Sequence, residues 1–125
     1  MELLESLTPD FIFPDERGLL VQICRSGYSQ INAVFTKKGA VRGNFHYHKN
    51  TKEAFFVLSG KIRVTAALED LREVREYSAG DMFLVRENVR HSFEYLEDTY
   101  LVGLYTRGVE NPDGTKDIHT DPLNT

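Results

Sequence analysis

The sequence predicts an all-β domain, a sandwich or barrel of short strands, on two observations. Proline and glycine punctuate the chain at short intervals, at Pro9, Pro14, Gly18, Gly27, Gly39, Gly43, Gly60, Gly80, Gly103 and Gly108. The runs between them are rich in Val, Ile, Phe, Tyr and Thr, residues that suit a pleated, half-buried surface. Several of these runs also alternate with a period of two, so that one face is apolar.

Taken in order, Leu3, Leu4 and Leu7 share a helical face, which predicts one or two helical turns over Met1–Leu7. Strands are expected over 18–24, 29–36, 40–48, 54–59, 61–68, 72–77, 82–85, 91–96 and 99–106. In the second of these, Ile31, Ala33 and Phe35 alternate with Asn32 and Thr36, and Val34 breaks the pattern. Ile62, Val64, Ala66 and Leu68 alternate with Lys61, Arg63 and Thr65. Met82–Val85 and Tyr100–Tyr105 are apolar on both faces and read as strands covered on both sides. Residues 107–125 carry the turn signal Asn111-Pro112-Asp113-Gly114 and read as an irregular polar tail, either a mobile end or a segment lying across a pocket.

Composition bounds the function. The 125 residues make one domain, with 41% hydrophobic and 27% charged residues, an ordinary globular balance that argues against disorder. A net charge of −4 offers no basic surface for nucleic acid and no polybasic membrane anchor. The longest apolar run, Ala54–Leu58, is far short of the roughly 20 residues of a membrane span. The first residues lack a signal peptide's basic start and apolar stretch. Cys24 is the single cysteine, so no intrachain disulfide forms, which fits a reducing cytoplasm.

Chemistry concentrates in the histidines. His46 and His48 are two residues apart on an expected strand, which aims both rings into one space. Glu53 opens the next apolar strand and reaches the same space if the two run antiparallel, and His91 opens a later strand after a turn. Neutral imidazoles and a carboxylate are a donor set for a divalent metal, and two histidines with one carboxylate already make a facial site with open positions. The element, Zn, Mn, Fe or Ni, is left open by these ligands. Arg42 shares strand parity with His46 and His48 provided no bulge intervenes, and an inward arginine needs an anion: either a ligand's diphosphate or carboxylate, or Glu53 or another acid in an internal salt bridge. Tyr95 shares parity with His91, and Tyr105 lies on the last strand; each is a candidate proton donor or a packed core tyrosine. Gln30 and Asn32 read as solvent-facing, Cys24 as a buried structural thiol, Lys49 and Lys52 as turn lysines, and His119 as exposed.

The stretch Gly39…His46-x-His48-x4-Glu53-x6-Gly60 resembles the first cupin motif, and Gly80-Asp81-x4-Arg86-x-Asn88-x2-His91 resembles the second. Arg86 and Asn88 stand where the family has Pro and Gly, and Tyr95 where it has Asn. Asn is the residue after glycine best suited to a left-handed backbone, so the turn can survive at Asn88. The resemblance implies a double-stranded β-helix, a jelly-roll β-barrel with a pocket inside, in a single domain over residues 1–125. It implies a divalent metal on His46, His48, Glu53 and His91.

Asp15-x-Arg17-Gly18 and Arg42-Gly43-Asn44-Phe45-His46-Tyr47-His48-Lys49 resemble a narrower group, the cupins that act on nucleotide-linked 4-keto sugars. These include 3,4-ketoisomerases and 3,5-epimerases. That likeness implies proton transfer beside a ketone, either with a metal on the four ligands polarising the carbonyl or, in a metal-free site, with His46 or His48 as base and Tyr95 or Tyr105 as acid, and with Arg42 and Lys49 binding substrate. It also implies a cytoplasmic homodimer, to which the apolar Phe11-Ile12-Phe13 can contribute. The rival readings are a non-haem iron oxygenase built on the same ligands, and a non-catalytic metal cupin that binds a small molecule.

Overall fold

The computed structural model describes residues 2–120. Met1 and residues 121–125, the ends of the expected helical turns and of the tail, lie outside the described residues. Eleven strands follow one another: β1 (Leu4–Leu7), β2 (Phe11–Asp15), β3 (Gly18–Gln22), β4 (Gln30–Thr36), β5 (Val41–His46), β6 (Glu53–Ser59), β7 (Lys61–Leu68), β8 (Leu71–Ser78), β9 (Met82–Val85), β10 (Arg90–Tyr95) and β11 (Thr99–Tyr105). The protein is all-β. No helix long and apolar enough to cross a membrane occurs among the described residues.

Two antiparallel sheets face each other, one ordered β1-β9-β6-β11-β4 and the other β5-β10-β7-β8. Each keeps open edges among the described residues, so the strands do not close into the expected barrel; β2 and β3 pair only with each other. Between the sheets lies the core: Leu4, Phe55, Val57, Phe83, Val85 and Leu101 from one side meet Ile62, Val64, Ala66, Tyr77, Phe93 and Tyr95 from the other. Tyr77 and Phe83 stack across the gap at 4.0 Å. The alternation of β7 is borne out, with Ile62, Val64 and Ala66 wholly buried.

Three sequence readings need correction. The start is a strand, not a helix: Leu4–Leu7 pairs with β9, and Glu73 accepts the backbone N–H groups of Leu3 and Leu4. The apolar leucines are satisfied by a sheet edge, and tertiary pairing overrides their helical spacing. The alternation along β4 points the other way. Asn32, Val34 and Thr36 face inward, while Ile31 and Phe35 are exposed at 63% and 41%. The inward polar residues find partners there: Asn32 bonds Tyr105, and Thr36 accepts from Arg42. Finally, β2 forms a ribbon with β3 that sequence patterning did not separate from the preceding loop.

The run Ala54-Phe55-Phe56-Val57 has a double explanation. Phe55 and Val57 enter the core, while Ala54 and Phe56 join Met82 and Leu104 on the sheet's other face, covered by Val21, Ile23, Cys24 and Tyr28. Cys24 is half-buried in that cover. Both faces of β6 are therefore apolar, which holds Glu53 at its start rigidly against β9 and β11.

Candidate metal centre and pocket

A cavity of about 280 Å³ opens between the sheets. Its chemistry comes from β5, β6, β10 and β11. His46 and His91 are direct partners across β5 and β10, and Glu53 pairs with Tyr105 across β6 and β11.

The approach to His46 is irregular. Arg42 pairs with Phe93 and His46 with His91, so β5 carries two residues more than β10 over this stretch. An even excess preserves parity, which is why Arg42 and His46 both line the cavity despite the bulge. The excess is absorbed at Gly43, Asn44 and Phe45, with φ of 89°, 43° and 62°. At Gly43 a side chain would meet the His91 carbonyl at 2.9 Å, so glycine permits the close approach of β5 and β10.

Both loops that carry ligand candidates are tied together. Asn88, with φ of 66°, adopts the left-handed backbone expected of it, and its N–H donates to the His48 carbonyl at 2.7 Å. The ring of His91 donates from Nδ1 to the Val89 carbonyl at 3.0 Å, and that of His48 from Nδ1 to the Asp117 carbonyl at 2.5 Å. A carbonyl only accepts, so Nδ1 carries the hydrogen on both rings. Each neutral ring then presents the lone pair of Nε2 to the cluster.

Those lone pairs converge on a carboxylate. Nε2 of His48 lies 2.9 Å and Nε2 of His91 3.1 Å from Oε1 of Glu53. Glu53 Oε1 and His48 Nε2 are fully buried without a hydrogen bond of good geometry. Buried polar atoms seldom go unpartnered. Two nitrogen lone pairs and a carboxylate oxygen aimed at one another want a positive charge between them, a cation or added protons. The four groups His46, His48, Glu53 and His91 bring their donor atoms within 4.8 Å of one another. This donor set, with two rings oriented by carbonyls from behind, fits a divalent metal.

The electrostatics follow. Burial resists ionisation of Glu53, yet the His48 and His91 rings beside it win and hold its carboxyl well below the usual range. Burial likewise opposes charge on His48, but Glu53 and the Asp117 carbonyl outweigh it and raise the imidazole above its ordinary value. His46 goes the other way: burial, then His91 and His48, push it down to about 4. Tyr105, buried beside Glu53 and bonded to Asn32, is pushed up to about 12. Tyr95 is raised by burial and bonds toward Thr36.

Arg42, Glu53, His46, His91, Tyr95 and Tyr105 all line the cavity; His48 stands behind it as a member of the cluster. Arg42 does not pair with Glu53. It donates to Thr36 Oγ1 at 2.7 Å and to the Phe35 carbonyl, and no carboxylate partners it among the described residues. Lys49 is exposed on the turn after His48, away from the cavity lining. Asn32, expected in solvent, faces the cavity side and bonds Tyr105. His119, expected to be exposed, is half-buried against Asp117 and Tyr47. Sequence reasoning missed Val34, Phe55, Phe93 and Leu101 as cavity walls, because inward apolar strand residues carry no sign of whether they meet a neighbour or a void.

Comparison with known proteins agrees with this fold. No curated protein sequence matches the chain. Among solved structures, a sugar 3,4-ketoisomerase from Thermoanaerobacterium thermosaccharolyticum in complex with TDP superposes with a TM-score of 0.75 at 16% identity, covering 89% of this chain and 90% of that one. A 3,4-ketoisomerase from Helicobacter canadensis gives 0.76 at 16% identity over 94% and 90%. A dTDP-4-dehydrorhamnose 3,5-epimerase from Sulfolobus tokodaii gives 0.71 at 22% identity over 90% and 80%. At these identities the likeness is one of fold. The model of the cupin domain matches residues 34–105, more than half of the sequence and the whole stretch from Arg42 to Tyr105, and the chain belongs to the cupin family.

Proposed function

We propose that this cupin is a jelly-roll enzyme that moves a proton beside the ketone of a nucleotide-linked 4-keto sugar, with a divalent metal at its histidine cluster. The observation that carries the reading is the convergence of His48 Nε2 and His91 Nε2 on Glu53 Oε1 at the wall of a cavity rimmed by an arginine that has no carboxylate partner among the described residues. The folds it superposes on include enzymes whose names specify such substrates.

In this reading His48, Glu53 and His91 hold the cation, with His46 as a further donor within reach. A divalent cation here supplies a Lewis acid for a carbonyl oxygen. His46 lines the cavity and stays neutral at physiological pH, so its lone pair is available to take the proton α to the ketone. His48 is a ligand rather than the base, since the Asp117 carbonyl holds its Nδ1 and its ring faces Glu53 without lining the cavity. Tyr105 keeps its proton at neutral pH and stands across the cavity, suited to return a proton to the enolate carbon or its oxygen. Val34, Phe55, Phe93 and Leu101 keep bulk water from the reacting carbons.

The cavity is at the lower end of ligand-site volumes, room for a sugar ring but not for a whole nucleotide sugar. The diphosphate therefore lies at the rim, where Arg42 supplies a planar, bidentate cation. Lys49 adds charge further out. The exposed ribbon of β2 and β3, with Phe11, Ile12, Phe13, Leu19 and Leu20 in solvent, is assigned to a homodimer contact. Light scattering at the 14.3 kDa monomer mass would reject that contact.

The test of function is solvent exchange. Zinc- or manganese-loaded protein in heavy water should introduce deuterium beside the ketone of a TDP-4-keto-6-deoxy sugar, read by NMR. Saturable binding without label makes this a binding cupin instead, and neither binding nor label removes the nucleotide-sugar reading.

A further inference from the structure

Beyond the cupin-matched residues 34–105, the chain turns back over the site. Thr106 exchanges hydrogen bonds with Lys52, a turn closes at Asn111–Thr115, and His119 bridges Tyr47 through two backbone bonds of 2.9 and 3.0 Å. The segment between carries Asp117, whose exposure is 3%. Its carboxylate accepts the Lys49 N–H and the Asn50 N–H at 2.8 Å each, the Thr51 hydroxyl at 3.3 Å and the His119 Nε2–H at 2.9 Å. Its carbonyl accepts the Nδ1–H of His48.

We propose that Asp117 is a positioning residue for the histidine cluster: its carboxylate clasps the 49–51 turn so that its carbonyl holds the His48 ring with Nε2 toward Glu53. The reasoning is geometric. His48 and Glu53 sit on opposite ends of that turn, Lys49-Asn50-Thr51-Lys52, and the acceptor found on the far side of the His48 ring comes from Asp117. Three donors of the turn, from Lys49, Asn50 and Thr51, meet one carboxylate and lock the turn to the strap, and His119 of the strap bonds the same carboxylate. The Asp117 N–H donates to the Val109 carbonyl within the strap, and the Asp117 carbonyl lands on the ring nitrogen remote from the cluster. A carbonyl behind a ligating ring sets its tautomer and raises its basicity, and losing such a partner typically weakens metal binding ten- to a hundredfold. His91 receives the same service from Val89, inside its own turn. His48 needs the C-terminal strap because its own turn supplies no such acceptor.

The proposal deepens the metal-centre reading and rests on it for its consequence, but its geometric half is separable. In metal-free full-length protein at pH 9, nitrogen NMR of the rings should find the hydrogen of His48 on Nδ1, coupled to the Asp117 carbonyl. Asp117→Ala should give His48 a mixture of tautomers and leave His91 unchanged. Its Zn2+ dissociation constant should rise about ten- to a hundredfold, with unfolding still cooperative. Asp117→Asn, which keeps one acceptor oxygen, should recover part of both. A wild-type His48 protonated at Nε2 overturns the proposal without any variant. So does a folded Asp117→Ala protein with unchanged tautomer and unchanged zinc affinity. If the wild type binds no zinc, the metal reading fails, and the tautomer comparison still decides the role of Asp117.

Discussion

His46 and His91 face each other directly across β5 and β10, with ring centroids 4.5 Å apart and planes at 87°. The pairing places an imidazole that stays neutral beside a ring already engaged with Glu53. In the proposed reading, this one pair of strands carries a group for the metal and a group for the proton.

This division predicts different outcomes for the two histidines. Purified protein should take up about one equivalent of Zn2+ or Mn2+. His91→Ala and Glu53→Gln should weaken that uptake by a hundredfold or more, since each leaves a buried partner uncompensated. His46→Ala should weaken it by about tenfold or less while abolishing deuterium exchange. Calorimetry and elemental analysis on the three variants would show equal losses if His46 were instead an indispensable ligand.

Removing the Tyr105 hydroxyl tests the acid. Tyr105→Phe should lower exchange by about 10²- to 10⁴-fold with little change in substrate affinity. Tyr95→Phe, whose hydroxyl bonds toward Thr36, should change it far less. A reversed order would move the acid role to Tyr95.

Acid should destabilise the metal-free protein through His46. Its folded value of about 4 lies below the ordinary 6.5, so the unfolded chain binds the proton first. Stability is full above 6.5 and falls as pH drops toward 4, by at most about 1.4 kcal/mol per pH unit and less because the ring is partly solvated. His48 acts in the opposite sense: its raised value contributes stability present below 6.5 and lost as pH climbs through the folded value. Denaturation curves between pH 4 and 6.5 should flatten in His46→Asn. An unchanged slope would mean that other groups set the acid limb.

Glycines should separate by what surrounds them. At Gly60 a side chain would collide with Thr99 Oγ1 and the Asp98 carbonyl, whereas Gly39 and Gly80 face open space. Gly39→Ala and Gly80→Ala should cost about 1–2 kcal/mol, the left-handed backbone alone. Gly60→Ala should cost about 3 kcal/mol or more, adding a backbone clash. Gly43→Ala, 2.9 Å from the His91 carbonyl, should lie between them in stability and also loosen the metal. Thermal unfolding with zinc titration reads both effects, and equal costs at all four positions would contradict the steric account.

Arg42 should discriminate anionic ligands. Arg42→Ala should weaken thymidine diphosphate binding by about ten- to a hundredfold, the worth of a charge-assisted hydrogen bond. Arg42→Lys should restore only part, because the bidentate fork is lost. Calorimetric affinity that is indifferent to Arg42 would place the diphosphate elsewhere.

Much of this protein was legible in residues alone. The His46-x-His48, Glu53 and His91 spacing identified the cluster because strand geometry fixes which side chains share a face. The left-handed turn at Asn88 was expected from the likeness to the second cupin motif, which has glycine there, because asparagine tolerates that backbone next best. Local rules were weaker where burial comes from distant strands. The leucines of β1 fit a helix as well as an edge strand until β9 paired with them. The period of β4 was visible, but a period of two does not say which face is inside, and Asn32 and Thr36 turned inward against their polarity. The orphaned Oε1 of Glu53, the unpaired charge of Arg42 and the hold of Asp117 on His48 exist only once the sheets are stacked. Sequence determines which donors are available and how each strand presents them. Tertiary structure decides which meet, because side chains far apart in the chain interact only after the core has brought their strands together.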